Sequence, residues 1–140
     1  MSKILQNAVK ITEKGKITYL KSTHRHDFVA YEFENGQQYA IDGGINYFKR
    51  SCGNLPNGVK IEDYSLNDGS PNIKEFLLWG HRGKDGKQPL KYSPFAELEL
   101  DHLRAILEYK DKFNIPLADI QIEVINYWIE QKSKNARNSA

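Results

Sequence analysis

At 140 residues the chain is long enough to bury roughly two-thirds of the surface its unfolded form exposes, so an apolar core can hold it without a disulfide or a metal staple. A single cysteine, Cys52, excludes an intramolecular disulfide, and no apolar run opens the chain, so the expectation is a reducing cytoplasm rather than secretion or a membrane. Twenty Lys and Arg against eighteen Asp and Glu give a net charge of +2, too balanced to argue by itself for nucleic acid or for an acidic mimic of it.

The first half reads as β structure. Val9-Lys10-Ile11 and Ile17-Thr18-Tyr19-Leu20 flank Glu13-Lys14-Gly15-Lys16, a glycine-containing turn between two apolar-rich runs. Phe28 to Phe33 then meets Gln38-Tyr39-Ala40-Ile41 through Asn35-Gly36, the strongest short-range hairpin signal. Gly43-Gly44 breaks the strand, and Ile45, Tyr47, Phe48 and Arg50 predict one helical turn that Cys52-Gly53 ends. Val59 to Tyr64 alternates and predicts a further strand, with turns at Pro56-Asn57-Gly58 before it and Leu66 to Pro71 after it.

The second half reads as helical. Ser70 or Pro71 opens a helix with Ile73, Phe76, Leu77 and Trp79 on one face, ended by Gly80. Gly80 to Lys91 is too rich in glycine for a regular element and is read as a functional loop. Leu98, Leu103, Ile106 and Leu107 mark a helix that starts at Ser93-Pro94 or at Asp101 and stops at Asn114. Pro116 opens the last helix, whose apolar face holds Leu117, Ile120, Val124, Tyr127 and Trp128, widened by Ile122, Ile125 and Ile129. The expected organisation is one α+β domain over 1–132, β-rich over 7–65 and helical over 71–132, with a flexible polar tail at 133–140.

Two stretches concentrate chemistry. The first is His24-Arg25-His26-Asp27 with Asp42. In an extended segment His24 and His26 share one face, and with Asp42 and His81 they offer ligands for Zn²⁺, Mn²⁺ or Fe²⁺. The alternatives are a hydrogen-bonded network in which Asp27 or Asp42 satisfies backbone N–H groups and pairs Arg25, and acid–base catalysis by one histidine, for which no nucleophile is evident. The second stretch is the basic loop, in which Arg82, Lys84, Lys87 and Lys91 stand against the single anion Asp85, whereas Tyr92 to Gln131 holds three cations against eight anions. Mobile glycines beside cations and aromatics suit a phosphate or an acidic side chain, although the P-loop pattern is absent because Gln88 follows Gly86-Lys87. Cys52 reads as a packed or unreactive thiol, and Trp79 and Trp128 as core residues on helical faces.

The stretches His24-Arg25-His26-Asp27-Phe28-Val29 and Ile41-Asp42-Gly43-Gly44-Ile45-Asn46-Tyr47-Phe48-Lys49-Arg50 resemble a family of small uncharacterised proteins of tailed phages and prophages. Residues 79–92 and 101–107 look like segments of its longer members, so the resemblance spans most of residues 7–110. Short members carry paired cysteines on two zinc-ribbon-like knuckles, near positions equivalent to Ile11 and Lys14 and to Tyr31 and Phe33. Those thiols are absent here, which implies β-hairpins of zinc-ribbon-like shape without zinc, held by apolar packing against the C-terminal helices.

The leading expectation is a phage accessory protein in the cytoplasm of the infected host cell, binding and inhibiting or sequestering a host or defence component without a cofactor. That component is a protein or a phosphate-bearing ligand, either nucleic acid or nucleotide. Its binding residues are Arg25, His26, Asp27, Asp42, His81, Arg82, Lys84, Lys87 and Lys91. The alternative is a small metal-dependent hydrolase or nuclease with His24, His26 and His81 as ligands and His26 and Asp42 as acid–base groups. A third reading, a virion component, would show itself as a constitutive homo-oligomer.

Overall fold

A computed structural model describes residues 4–24, 26–44, 49–52, 54–82 and 87–138. The chain divides into two compact units, Met1–Pro71 and Asn72–Ala140. The architecture is α+β, with antiparallel sheets and with the long helices at the C-terminal end.

The first unit is all β among its described residues. Strands β1 (Ile4–Glu13) and β2 (Lys16–Ser22) form a hairpin in the register Glu13↔Lys16, Ile11↔Thr18 and Val9↔Leu20. Its two turn residues, Lys14 and Gly15, both have positive φ, which matches the right-handed twist of the flanking strands. Strands β3 (Val29–Glu32) and β4 (Gln38–Asp42) pair as Tyr31↔Tyr39, around a longer turn in which the Gly36 N–H bonds the Phe33 carbonyl. β5 (Lys49–Cys52) adds to β4, and β6 (Val59–Asp63) and β7 (Leu66–Asn67) add to β1.

β1 has neighbours along both edges, and its alternating Val9 and Ile11 project from one face of the sheet and are fully buried. They share one apolar cluster with Phe33, Tyr39 and Ile41 of the other sheet, and Tyr31 packs against it. Burying side chains of this size contributes on the order of 1.5–3 kcal/mol each. Ile11 and Phe33 thus sit in the core itself.

The second unit opens with a single helical turn, α1 (Ile73–Phe76), where the sequence predicts a helix running to Gly80. Leu77 turns extended, with φ −65° and ψ 126°. Then β8 (Leu78–His81) pairs with β9 (Lys91–Pro94) in the register Gly80↔Tyr92 and His81↔Lys91. Cross-strand pairing and burial of Leu78 override a helical spacing only two turns long. The ends of the stretch read as an irregular loop therefore belong to a hairpin, closed by the Gln88 N–H on the Arg82 carbonyl at 2.9 Å.

A 3₁₀ turn at Phe95–Glu97 leads to α2 (Leu100–Phe113), which Asn114 ends in the left-handed conformation. Of the two expected starts, Ser93-Pro94 lies in β9 and Asp101 in the first turn of α2. α3 runs Asp119–Asn138, beginning beyond Pro116 and continuing past Ser133. Its first turn is capped by Gln121, whose Oε1 accepts the Ala118 N–H at 2.9 Å. Phe95, Leu98, Leu103, Val124 and Ile125 are buried, and Trp128 Nε1 donates to the Lys74 carbonyl at 2.7 Å, so the apolar faces of α2 and α3 fall where the periodicity predicts.

Candidate functional site

The histidine stretch is not extended. The Asp27 N–H bonds back to the His24 carbonyl at 3.0 Å, and His26 sits at φ 65°, so the alternation that would aim both imidazoles from one face is broken. Asp27 Oδ2 accepts the backbone N–H of Thr23 at 2.8 Å and its hydroxyl at 3.0 Å, while His24 Nε2 lies 3.9 Å from Oδ1. Buried Ser22 donates to the Asp27 carbonyl at 2.7 Å and accepts the Gly44 N–H at 2.7 Å, and Asn7 donates to the Gly44 carbonyl at 2.6 Å. A β-carbon on Gly44 would meet the His24 backbone at 2.4 Å, so only glycine admits this approach.

These bonds make the loop a backbone-satisfying network, one of the three readings of its composition. Asp42 stands opposite Lys49 at the end of β4, and Arg50, expected on a helical turn, belongs to strand β5, where it pairs with Asp63 at 3.2 Å. Cys52 is exposed on that strand rather than packed. Arg25 and Ile45 to Phe48 lie outside the described residues. Among the described residues, no group of three or more His, Cys, Asp or Glu is placed to hold a metal ion.

The second unit holds a cleft of about 840 Å³. One wall is the β8–β9 hairpin, with Trp79, His81, Arg82 and Leu90; the other is α2, with His102, Ile106, Tyr109 and Lys110, and Glu99 and Asp101 stand at its start. Positions 102, 106 and 109 recur at helical spacing, and this puts them on one stripe of α2. Gly80 lets the hairpin wall stay flat: a β-carbon there would meet the Tyr92 ring at 2.9 Å.

The two imidazoles of the cleft touch. His81 and His102 pack edge to face with centroids 5.6 Å apart, and His81 Nε2 is 3.0 Å from Ser93 Oγ. Burial, then the neighbouring His102 and the charge of Lys91, push the His81 pKa below its ordinary value, so the ring resists protonation. Lys110 makes a 3.4 Å ion pair with exposed Asp111, an arrangement that contributes little and that a stronger anion can displace.

Of the residues expected to bind, His81 and Arg82 line the cleft. Lys91 lies beside it on β9, Lys87 is exposed, and Lys84 lies outside the described residues. Trp79, expected in the core on a helix, is a half-buried strand residue of the cleft wall whose ring packs at a tilt against Phe95, with centroids 5.5 Å apart. Sequence reasoning missed His102, Tyr109 and Lys110. Their signal was the second stripe of α2, masked by the stronger apolar stripe of Leu103 and Leu107 beside it.

No described helix is long and apolar enough to cross a membrane. No known protein family, curated protein or solved structure matches the chain.

Proposed function

We propose that this chain is a phage accessory protein that acts by binding, and that the cleft of its second unit takes a phosphate-bearing ligand of nucleotide type, which the protein sequesters. The resemblance of the histidine and Asp-Gly-Gly stretches to small tailed-phage proteins supports the biological setting, the cytoplasm of an infected bacterium. The observation that carries the ligand class is the composition of the cleft. Its volume, about 840 Å³, lies in the range of small-molecule sites, and its walls combine ring faces with a few convergent polar groups.

Arg82 offers a planar fork of N–H donors suited to phosphate, and Lys110 adds a point charge. Trp79 and Tyr109 offer ring faces against which a base packs. Glu99 and Asp101 repel phosphate at the start of α2 and accept hydrogen bonds from the amino and imino edge of a base, whereas Lys110 stands nine residues beyond Asp101 along the helix, about 13.5 Å at 1.5 Å per residue.

The test is equilibrium binding of a fluorescent mononucleotide, competed by its unlabelled form. Arg82→Ala is expected to weaken binding about tenfold, as removal of a charged hydrogen-bond donor does, and to flatten the salt dependence. Binding that is undetectable at millimolar nucleotide, or that ignores Arg82→Ala, overturns the reading.

A further inference from the structure

Beyond the cleft, α2 carries a feature that a mononucleotide leaves unused. Tyr109 and Phe113, one turn apart, stack with centroids 5.6 Å apart and planes within 14°. Both are more than half exposed, Tyr109 at 55% and Phe113 at 59%. Tyr109 lines the cleft, so the pair continues the cleft wall outward as a row of parallel ring faces. Large rings held parallel in solvent are neither core nor ordinary surface.

The row is interleaved with charge. Between the two aromatics Lys110 and Lys112 flank Asp111, which pairs with Lys110, and Lys112 Nζ lies over the Phe113 ring, 5.4 Å from its centroid. Rings on which bases stack, with cations beside them for phosphates, are the two parts of a single-strand binding strip, and a base that stacks on Phe113 displaces the Lys112 ammonium that lies over the ring. Resting on the reading of the cleft just given, we infer that the ligand is a single-stranded nucleic acid, with one nucleotide in the cleft and the next base on the Tyr109–Phe113 stack. A duplex presents no free base face to such a row. An acidic peptide would meet the lysines and leave the rings uncovered.

The test compares fluorescein-labelled ten-nucleotide oligo-dT and oligo-U, the same DNA sequence as a duplex, and the mononucleotides, on the full chain. One single strand, DNA or RNA, is expected to bind at least tenfold tighter than its mononucleotide and than the duplex. Phe113 does not line the cleft, so Phe113→Ala is expected to weaken oligonucleotide binding at least about fivefold, the loss of one stacked base, and to leave mononucleotide affinity unchanged. Lys112→Gln is expected to reduce the slope of log affinity against log salt by about 0.7, one phosphate contact on a single strand.

Equal affinity for oligonucleotide and mononucleotide, or an oligonucleotide affinity indifferent to Phe113→Ala, overturns this inference and leaves the cleft reading standing. Failure of both ligands to bind overturns both. A wild-type dimer in sedimentation that Phe113→Ala dissociates, or displacement of the oligonucleotide by poly-glutamate in a Phe113-dependent way, assigns the stack to protein contacts instead and overturns it.

Discussion

The loop at residues 22–27 and the cleft along α2 draw on the same side-chain chemistry and direct it differently. In the loop, Ser22, Asp27 and Asn7 aim their polar atoms at backbone groups within 3 Å, and the β4 end closes onto the His24 backbone with no room for a methyl group. In the cleft, His81, His102, Arg82 and Lys110 surround open volume, and the two histidines contact each other edge to face. A dense run of titratable residues in sequence is therefore a poor locator of a binding site. Whether those groups already satisfy the chain's own N–H and C=O groups is the discriminating property, because a polar atom bonded to backbone is costly to withdraw for a ligand.

That contrast breaks most visibly at Gly44. Gly44→Ala is expected to destabilise the first unit by about 2–5 kcal/mol, since the new β-carbon overlaps backbone and the φ of 57° is unfavourable for alanine. Urea unfolding followed by circular dichroism reads it, and a change below about 1 kcal/mol would mean that the loop is not closed against Gly44. Ser22→Ala comes next. It leaves the Gly44 N–H without its acceptor, at about 1–3 kcal/mol, and hydrogen exchange should accelerate at the Gly44 and Asp27 amides first. Unaltered protection there would return the loop to the list of candidate sites.

The smallest effect sharpens the other side. His81 has its pKa lowered by burial, by His102 and by Lys91, all opposing a second positive charge. Below the ordinary histidine value of about 6.5 the unfolded chain binds a proton that the folded ring resists, so stability falls as pH drops through that region. His81→Gln, which keeps a polar partner for Ser93 and cannot titrate, is expected to reduce the loss of melting temperature between pH 7.5 and 5.5. Solvent screening of a partly exposed ring keeps the effect below about 1 kcal/mol. An unchanged acid profile would mean that His81 titrates freely.

Much of the fold was legible locally. The Lys14-Gly15 and Asn35-Gly36 turns, the alternation of Val9 and Ile11, and the stop of α2 at Asn114 were each readable from a few neighbouring residues. The site was legible in part. His81 and Arg82 stood out as polar residues in a glycine-rich stretch, but His102 and Tyr109 did not, because a polar or aromatic residue on a helix looks the same whether it faces water or a cleft.

By itself, then, the sequence determined the α+β order, the β-hairpins of the first half and the amphipathic faces of α2 and α3, because turn sterics and side-chain periodicity act between residues close in the chain. Tertiary structure alone decided that Leu78 to His81 pairs as a strand rather than continuing α1, that Asp27 and Ser22 close a loop onto Gly44, and that His81 meets His102. Each of those outcomes depends on contacts between segments distant in sequence. Such contacts become favourable only together, when chain entropy has already been lost to the rest of the fold.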